Sequence, residues 1–219
     1  MTFLDRQPED SAIAILDYRT GNMRSVEKAF EQFGCSADVT RKRDDIEKAA
    51  GIVLIGVGAF PNAIAEIRKL ELDKVLQEQV QRGVPLLGIC LGMQLLFDGS
   101  EEWGGALGLG LLEGEVQKID AEGEKVPHIG WNAVEWSRES DLTEGLPDPC
   151  PFYHVHSYAP VPADTDVVLG TAVHGTRFVS SVCRENIYGV QFHPEKSGQD
   201  GLRMLENFAS ICSKTAVPA

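Results

Sequence analysis

The sequence has no apolar run long enough to cross a bilayer, no cysteine pair in C-x-x-C spacing, and no excess of positive charge. The first absence argues against a membrane-spanning helix. The five cysteines, Cys35, Cys90, Cys150, Cys183 and Cys212, are scattered and odd in number. That argues against a disulfide framework and a zinc ribbon, and it fits a reducing, cytoplasmic setting. Lys and Arg number 20 against 33 Asp and Glu, a formal net charge of −13. Such a chain lacks the electrostatic footprint for phosphate backbones, so no nucleic-acid partner is expected. Met1 to Asp10 is polar, without the apolar core of a secretion signal. Residues 1–11 read as a flexible extension and 12–219 as a single domain. There is no internal repeat and no low-complexity tract.

What is present alternates. Ala12–Leu16, Cys35–Val39, Gly51–Ile55 and Val84–Ile89 are short apolar runs suited to buried strands. Met23, Val26, Phe30 and Phe33 form a helical stripe that Gly34 is placed to end. Pro61 suits the first turn of another helix, and Leu72, Val75, Leu76 and Val80 mark a third. Strands alternating with helices imply a mostly parallel α/β sheet covered on both faces. Beyond about residue 109 β-type segments dominate: 111–119, 128–136, 152–158, 167–172, 178–183 and 187–192, with a last helix over about 200–212. An added antiparallel portion is therefore expected.

Gly88-Ile89-Cys90-Leu91-Gly92 follows an apolar strand, and Leu91, Leu95, Leu96 and Phe97 continue it as a helix. This is the pattern of a nucleophile elbow with cysteine as the nucleophile. Flanking glycines are needed because side chains there would meet neighbouring backbone in so tight a turn. A helix N-terminus favours a thiolate at Cys90, and the Leu91 N–H then points at any oxyanion formed on the attacked carbonyl. An isolated cysteine is more often a core residue; the agreement of glycines, strand and helix shifts the balance toward a nucleophile. A base and its orienting group are supplied by His193-Pro194-Glu195, where residues two apart in extended chain point the same way. On its own, H-x-E is also a common surface accident. His154 and His156 alternate on one strand, but no third ligand completes a set, so no metal site is expected. His128 and His174 show no partner. Gly56-Val57-Gly58 lacks the spacing of a phosphate cradle and is placed to supply a second oxyanion donor.

Together, Gly88-Ile89-Cys90-Leu91-Gly92-Met93-Gln94 and Gln191-Phe192-His193-Pro194-Glu195 resemble the two signature regions of the class I, triad-type glutamine amidotransferases. His193 lies 103 positions after Cys90, a spacing that fits the family. Further segments are similar to one branch, the glutaminase subunits of imidazole glycerol phosphate synthases. These are 17–22, 56–60, 127–132, 153–158 and Lys196-Ser197, so the likeness runs through nearly the whole chain from Ala12. Arg19 stands where that branch usually has glycine, and Ile55 where proline usually precedes the glycine-rich turn.

The resemblance implies that Cys90, His193 and Glu195 hydrolyse glutamine through a cysteinyl thioester, with the N–H groups of Val57 and Leu91 holding the oxyanion. It implies that Gly58, Gln94 and the His156-Ser157-Tyr158 segment bind glutamine. No cofactor is implied. The ammonia would pass to a cyclase subunit of (β/α)₈ barrel fold in a heterodimer, for imidazole glycerol phosphate formation in histidine biosynthesis. Asn22, Trp131 and Lys196 are the interface candidates, against a core aromatic for Trp131 and a solvated charge for Lys196. Two alternatives stand beside this reading: a partner-free thiol hydrolase of γ-glutamyl compounds, and a silent scaffold on the same fold, whose mark would be loss of Cys90 or His193.

Overall fold

The computed structural model describes residues 13–215; the extension expected over 1–11 lies outside them. In chain order the elements are β1 (Ile13–Leu16), α1 (Met23–Glu31), β2 (Ala37–Thr40), α2 (Arg43–Lys48), β3 (Gly51–Gly56), α3 (Phe60–Lys69), α4 (Leu72–Gln81), β4 (Leu86–Cys90) and α5 (Leu91–Leu95). There follow β5 (Phe97–Ser100), β6 (Ala106–Leu107), β7 (Leu112–Lys118), β8 (His128–Trp136), β9 (Cys150–His156) and β10 (Tyr158–Pro162). β11 (Val168–His174), β12 (Thr176–Arg184), β13 (Ile187–Val190) and α6 (Gly198–Thr215) complete the order.

Nine strands form one sheet in the order β2-β1-β3-β4-β13-β12-β11-β8-β9. Its first five members pair in parallel, and from β13 onward the pairing is antiparallel. The expected α/β sheet is present, and the antiparallel portion extends the same sheet. A second sheet, in the order β10-β7-β5-β6, holds the remaining strands.

Successive residues of a strand point to opposite faces, and the two cores show it. Ile13, Ile15, Val53 and Ile55 pack with Val26 and Phe30 of α1 and Phe208 of α6. Ala14, Leu16, Ile52 and Leu54 pack on the other side with Phe60 and Ile64 of α3 and Leu76 of α4. Both faces being covered is why β1, β3 and β4 are continuous apolar runs rather than alternating ones. Gly34, at φ 74°, donates its N–H to Glu31 O and ends α1 as its position suggests.

Two of the segments that differ from the sequence expectation lie on either side of the site. The helix after Cys90 stops at Leu95, and Phe97 opens a strand. Leu96 O accepts from the N–H groups of Leu111 and Leu112, and Leu95 O from Leu109, so tertiary partners replace the next helical turn. The run expected as one strand over 152–158 is two, in different sheets, broken at Ser157.

Candidate active site

β4 ends on Cys90, whose φ of 55° and ψ of −113° lie outside ordinary space for a non-glycine residue. Strain of this kind costs about 1–3 kcal/mol and persists where the surroundings over-determine it. They do so here. A methyl on Gly92 would lie 1.6 Å from Leu54 O, and one on Gly88 would lie 2.8 Å from Gly92 O. Both positions have room only for glycine, and α5 is therefore seated directly on the central strands. Cys90 is 6% exposed, with its Sγ 3.8 Å from both Val155 O and Gln191 Nε2.

His193 follows β13, and Pro194–Lys196 forms a single 3₁₀ turn. His193 and Glu195 thus meet across a turn, where extended chain was expected. His193 Nδ1 is 2.8 Å from Glu195 Oε1, and the two side chains are 1% and 0% exposed. The backbone is pinned on three sides: His193 N–H donates to Tyr153 O at 2.9 Å, Ser197 Oγ donates to His193 O at 2.7 Å, and Tyr153 N–H donates to Ser197 Oγ at 3.0 Å. Nδ1 being engaged leaves Nε2 for chemistry, and Nε2 has no hydrogen-bond partner among the described residues. Burial pulls the His193 pKa down, but its interactions with Cys90 and Glu195 outweigh that and raise it to about 9. The imidazolium is the favoured form beside this thiol and carboxylate.

The parallel register pairs Gly56 with Cys90, which brings the 56–58 turn alongside the elbow. Gly58 has φ 105°, open to glycine, and Val57 is 44% exposed at the turn's tip. Next to it Gly21 packs so closely that a methyl would lie 3.1 Å from Ile55 O. Arg19 adopts φ 68°, a conformation glycine takes without strain, with its N–H on Asp17 Oδ1. Ile55 is fully buried.

Gln94, 5% exposed, donates from Nε2 to Tyr158 O at 2.9 Å and to Gln191 Oε1 at 3.1 Å. Among the residues expected to bind glutamine, Gln94 and Tyr158 are thus joined to Cys90 through Gln191. Gly58 lies on the adjacent turn, and Ser157 uses its carbonyl to accept from Ile119 N–H. His156 has both ring nitrogens engaged, with Tyr158 O and with His128. The interface candidates are all exposed. Asn22 is exposed beside Gly21, Lys196 is exposed directly after Glu195, and Trp131 is 58% exposed with its ring 6.4 Å from that of Tyr153.

Several residues escaped the sequence reading. Gln191 was part of a quoted motif but had no role; being a polar residue with zero exposure at a strand end was a signal available only from the fold. Glu102 places Oε2 2.7 Å from Phe60 N–H, at the start of α3 just past Gly58. His128 and His174, expected to be without partners, are packed together: their rings stack at 4.2 Å. They were missed because strand pairing brings distant positions together. Among the described residues no set of three or more side chains is arranged to hold a metal ion.

A strained cysteine on a strand-to-helix turn, a buried His–Glu pair and a glycine turn at its flank define a thiol amidohydrolase of the amidotransferase kind. The family model for class-I glutamine amidotransferases matches residues 14–212, and the chain belongs to that family. The fold is shared with PurLQS from Thermotoga maritima at a TM-score of 0.73 and 19% identity, covering 92% of this chain and 99% of that one. More specifically, the chain is 49% identical over 199 residues to imidazole glycerol phosphate synthase subunit HisH of Moorella thermoacetica, covering 91% of this chain and 94% of that protein. It is 47% identical to the HisH subunit of Salinibacter ruber, covering 90% and 93%.

Proposed function

We propose that the chain hydrolyses glutamine to glutamate and ammonia as the glutaminase subunit of an imidazole glycerol phosphate synthase, with 12–219 acting as one amidotransferase unit. The observation that carries the chemistry is the buried 2.8 Å His193–Glu195 pair, with Nε2 unspent, beside a cysteine held at φ 55°.

Cys90 Sγ attacks the γ-amide carbon, and the amide oxygen takes the negative charge. The N–H groups of Val57 and Leu91 receive that oxyanion; such preorganised donors are worth about 3 kcal/mol each in acyl transfer. The C–N bond breaks as His193 Nε2 gives the former thiol proton to the departing nitrogen, releasing ammonia and leaving a γ-glutamyl thioester. Water then attacks the thioester, His193 takes its proton, and the C–S bond breaks to give glutamate and restore Cys90. Glu195 keeps the imidazole in the tautomer this requires and stabilises its charged form. Gly58, Gln94 and Tyr158 line the substrate side. Glu102 supplies the carboxylate that the substrate's α-ammonium needs, since an uncompensated ammonium in a closed site is costly.

The ammonia passes to a cyclase partner of (β/α)₈ barrel fold, through the face bearing Asn22, Trp131 and Lys196. The names of the 45–49% identical relatives support a synthase subunit in this role. A cytoplasmic location fits five free cysteines and, among the described residues, no helix long and apolar enough to cross a membrane. The test is a glutaminase assay of the chain with its partner and nucleotide ligand. Cys90→Ala should stay folded and release no ammonia; full activity in that variant sinks the reading.

A further inference from the structure

Four of the five histidines, 128, 154, 156 and 174, lie together on the strands β8, β9 and β11, beside the site of Cys90. His128 and His156 are directly opposite each other across the β8–β9 pair. The hydrogen bonds allow only one arrangement of protons. Tyr158 O can only accept, and it lies 3.0 Å from His156 Nδ1, so that nitrogen carries the hydrogen. The Nε2 of a neutral His156 is then bare and accepts from His128 Nδ1–H at 3.0 Å. His128 Nε2 is bare in turn and accepts from Asn132 Nδ2 at 3.3 Å. Asn132 Nδ2 also donates to Val173 O at 2.8 Å, which anchors the far end on β11.

Both rings must be neutral for this chain to exist. A proton added to His156 Nε2 would face the His128 Nδ1–H at 3.0 Å, donor against donor. Burial favours the neutral forms, lowering His128 to about 4 and His156 to about 3. The other ionisable groups facing the pair are His154, whose Nε2 accepts from Ser180 Oγ, His174, whose Nδ1 faces the Glu124 carboxylate at 2.9 Å, and His193.

The near end of the chain is in the candidate active site. Tyr158 O accepts from Gln94 Nε2 as well as from His156. Gln94 spends both its amide hydrogens, on Tyr158 O and Gln191 Oε1, and its Oε1 has no donor among the described residues. We propose that His128 and His156 are positioning residues for glutamine: as a neutral, one-directional hydrogen-bond chain they fix the Tyr158 carbonyl, and through it hold the free Gln94 Oε1 toward the substrate. The inference rests on the glutaminase reading above and deepens it. It gives His156 an indirect part in substrate binding.

The test is carried out on the enzyme with its partner. His128→Phe keeps the ring and its stacking but removes both polar nitrogens; His128→Asn keeps a donor near the place of Nδ1. The expected result is a KM for glutamine raised about tenfold in His128→Phe, the size of one lost hydrogen bond. The rate of Cys90 alkylation by iodoacetamide should be unchanged, and His128→Asn should recover most of the KM. A KM in His128→Phe equal to wild type, or equal impairment in both variants, overturns the proposal. Nitrogen-15 NMR of the wild-type chain gives an answer that needs no variant: at neutral pH both rings should be neutral with the hydrogen on Nδ1. Hydrogen on Nε2, or a charged ring, refutes the chain. Wild-type enzyme without glutaminase activity would instead sink the functional reading, whatever the variants do.

Discussion

Replacing Gly92 by alanine tests whether catalytic geometry is set by the contact between α5 and β3. Gly92 has an ordinary helical conformation, and alanine in a helix is favoured over glycine by about 1 kcal/mol. Propensity alone therefore predicts a slightly stabilised protein. Space predicts the opposite. The new methyl would lie 1.6 Å from Leu54 O and 2.6 Å from Leu54 C, where 3.0 Å is the closest approach tolerated. The elbow and β3 must separate by about 1.4 Å, and the atom in the way is backbone of a central strand rather than a movable side-chain tip. Overpacking of this kind costs about 1–3 kcal/mol. The separation also displaces Cys90 and the Leu91 N–H from the 56–58 turn, and a misplacement of about 1 Å is enough to lower a rate roughly a hundredfold. The assay is glutamate formation alongside thermal melting, with Gly83→Ala as control. Gly83 has φ 85° and nothing within 4 Å of a new methyl, so it carries only backbone strain, about 1–2 kcal/mol. Gly92→Ala should lose at least a hundredfold in kcat/KM while Gly83→Ala keeps its activity. A Gly92→Ala variant as active and as stable as wild type would refute the reasoning.

Glu195→Gln removes the charge and keeps the shape; with its partner buried and left uncompensated, it should destabilise by roughly 3–5 kcal/mol and lower kcat by about 10²–10⁴, measured by denaturation and by ammonia release. The folded His193 has its pKa raised to about 9 from 6.5, so its contribution to stability is complete below about 6.5 and is lost as the pH climbs through about 9. Denaturant unfolding across that window should show the decline in wild type and a flatter profile in Glu195→Gln. Trp131 is 58% exposed, so Trp131→Ala should change the stability of the isolated chain by less than about 0.5 kcal/mol. It should weaken binding of the cyclase partner by at least about 2 kcal/mol, read by calorimetry.

The legible parts of the sequence were those where one physical requirement dominates. β1, β3 and β4 stand out because both their faces are buried, and the bounds read for β8 match the strand. α2 went unread: in Arg-Asp-Asp-Ile-Glu-Lys only Ile46 is buried, and one apolar residue makes no stripe. β5 was absorbed into the helix before it, because Leu95-Leu96-Phe97 continues the apolar pattern while distant N–H groups claim the carbonyls that would have extended the helix. The elbow and the H-P-E segment were readable because strand, glycines and spacing agree. The histidine chain was not, since cross-strand neighbours such as His128 and His156 leave no local pattern. Nor did Gln191 stand out, because its burial against Cys90 depends on the β4–β13 pairing.

The most direct test of the central claim is mass spectrometry of the chain and its partner after exposure to a γ-electrophilic glutamine analogue. A single adduct should appear on Cys90, blocked by excess glutamine, absent in Cys90→Ala and much slowed in His193→Ala. Labelling spread over Cys35, Cys150, Cys183 and Cys212, or labelling of Cys90 that glutamine does not prevent, would contradict it.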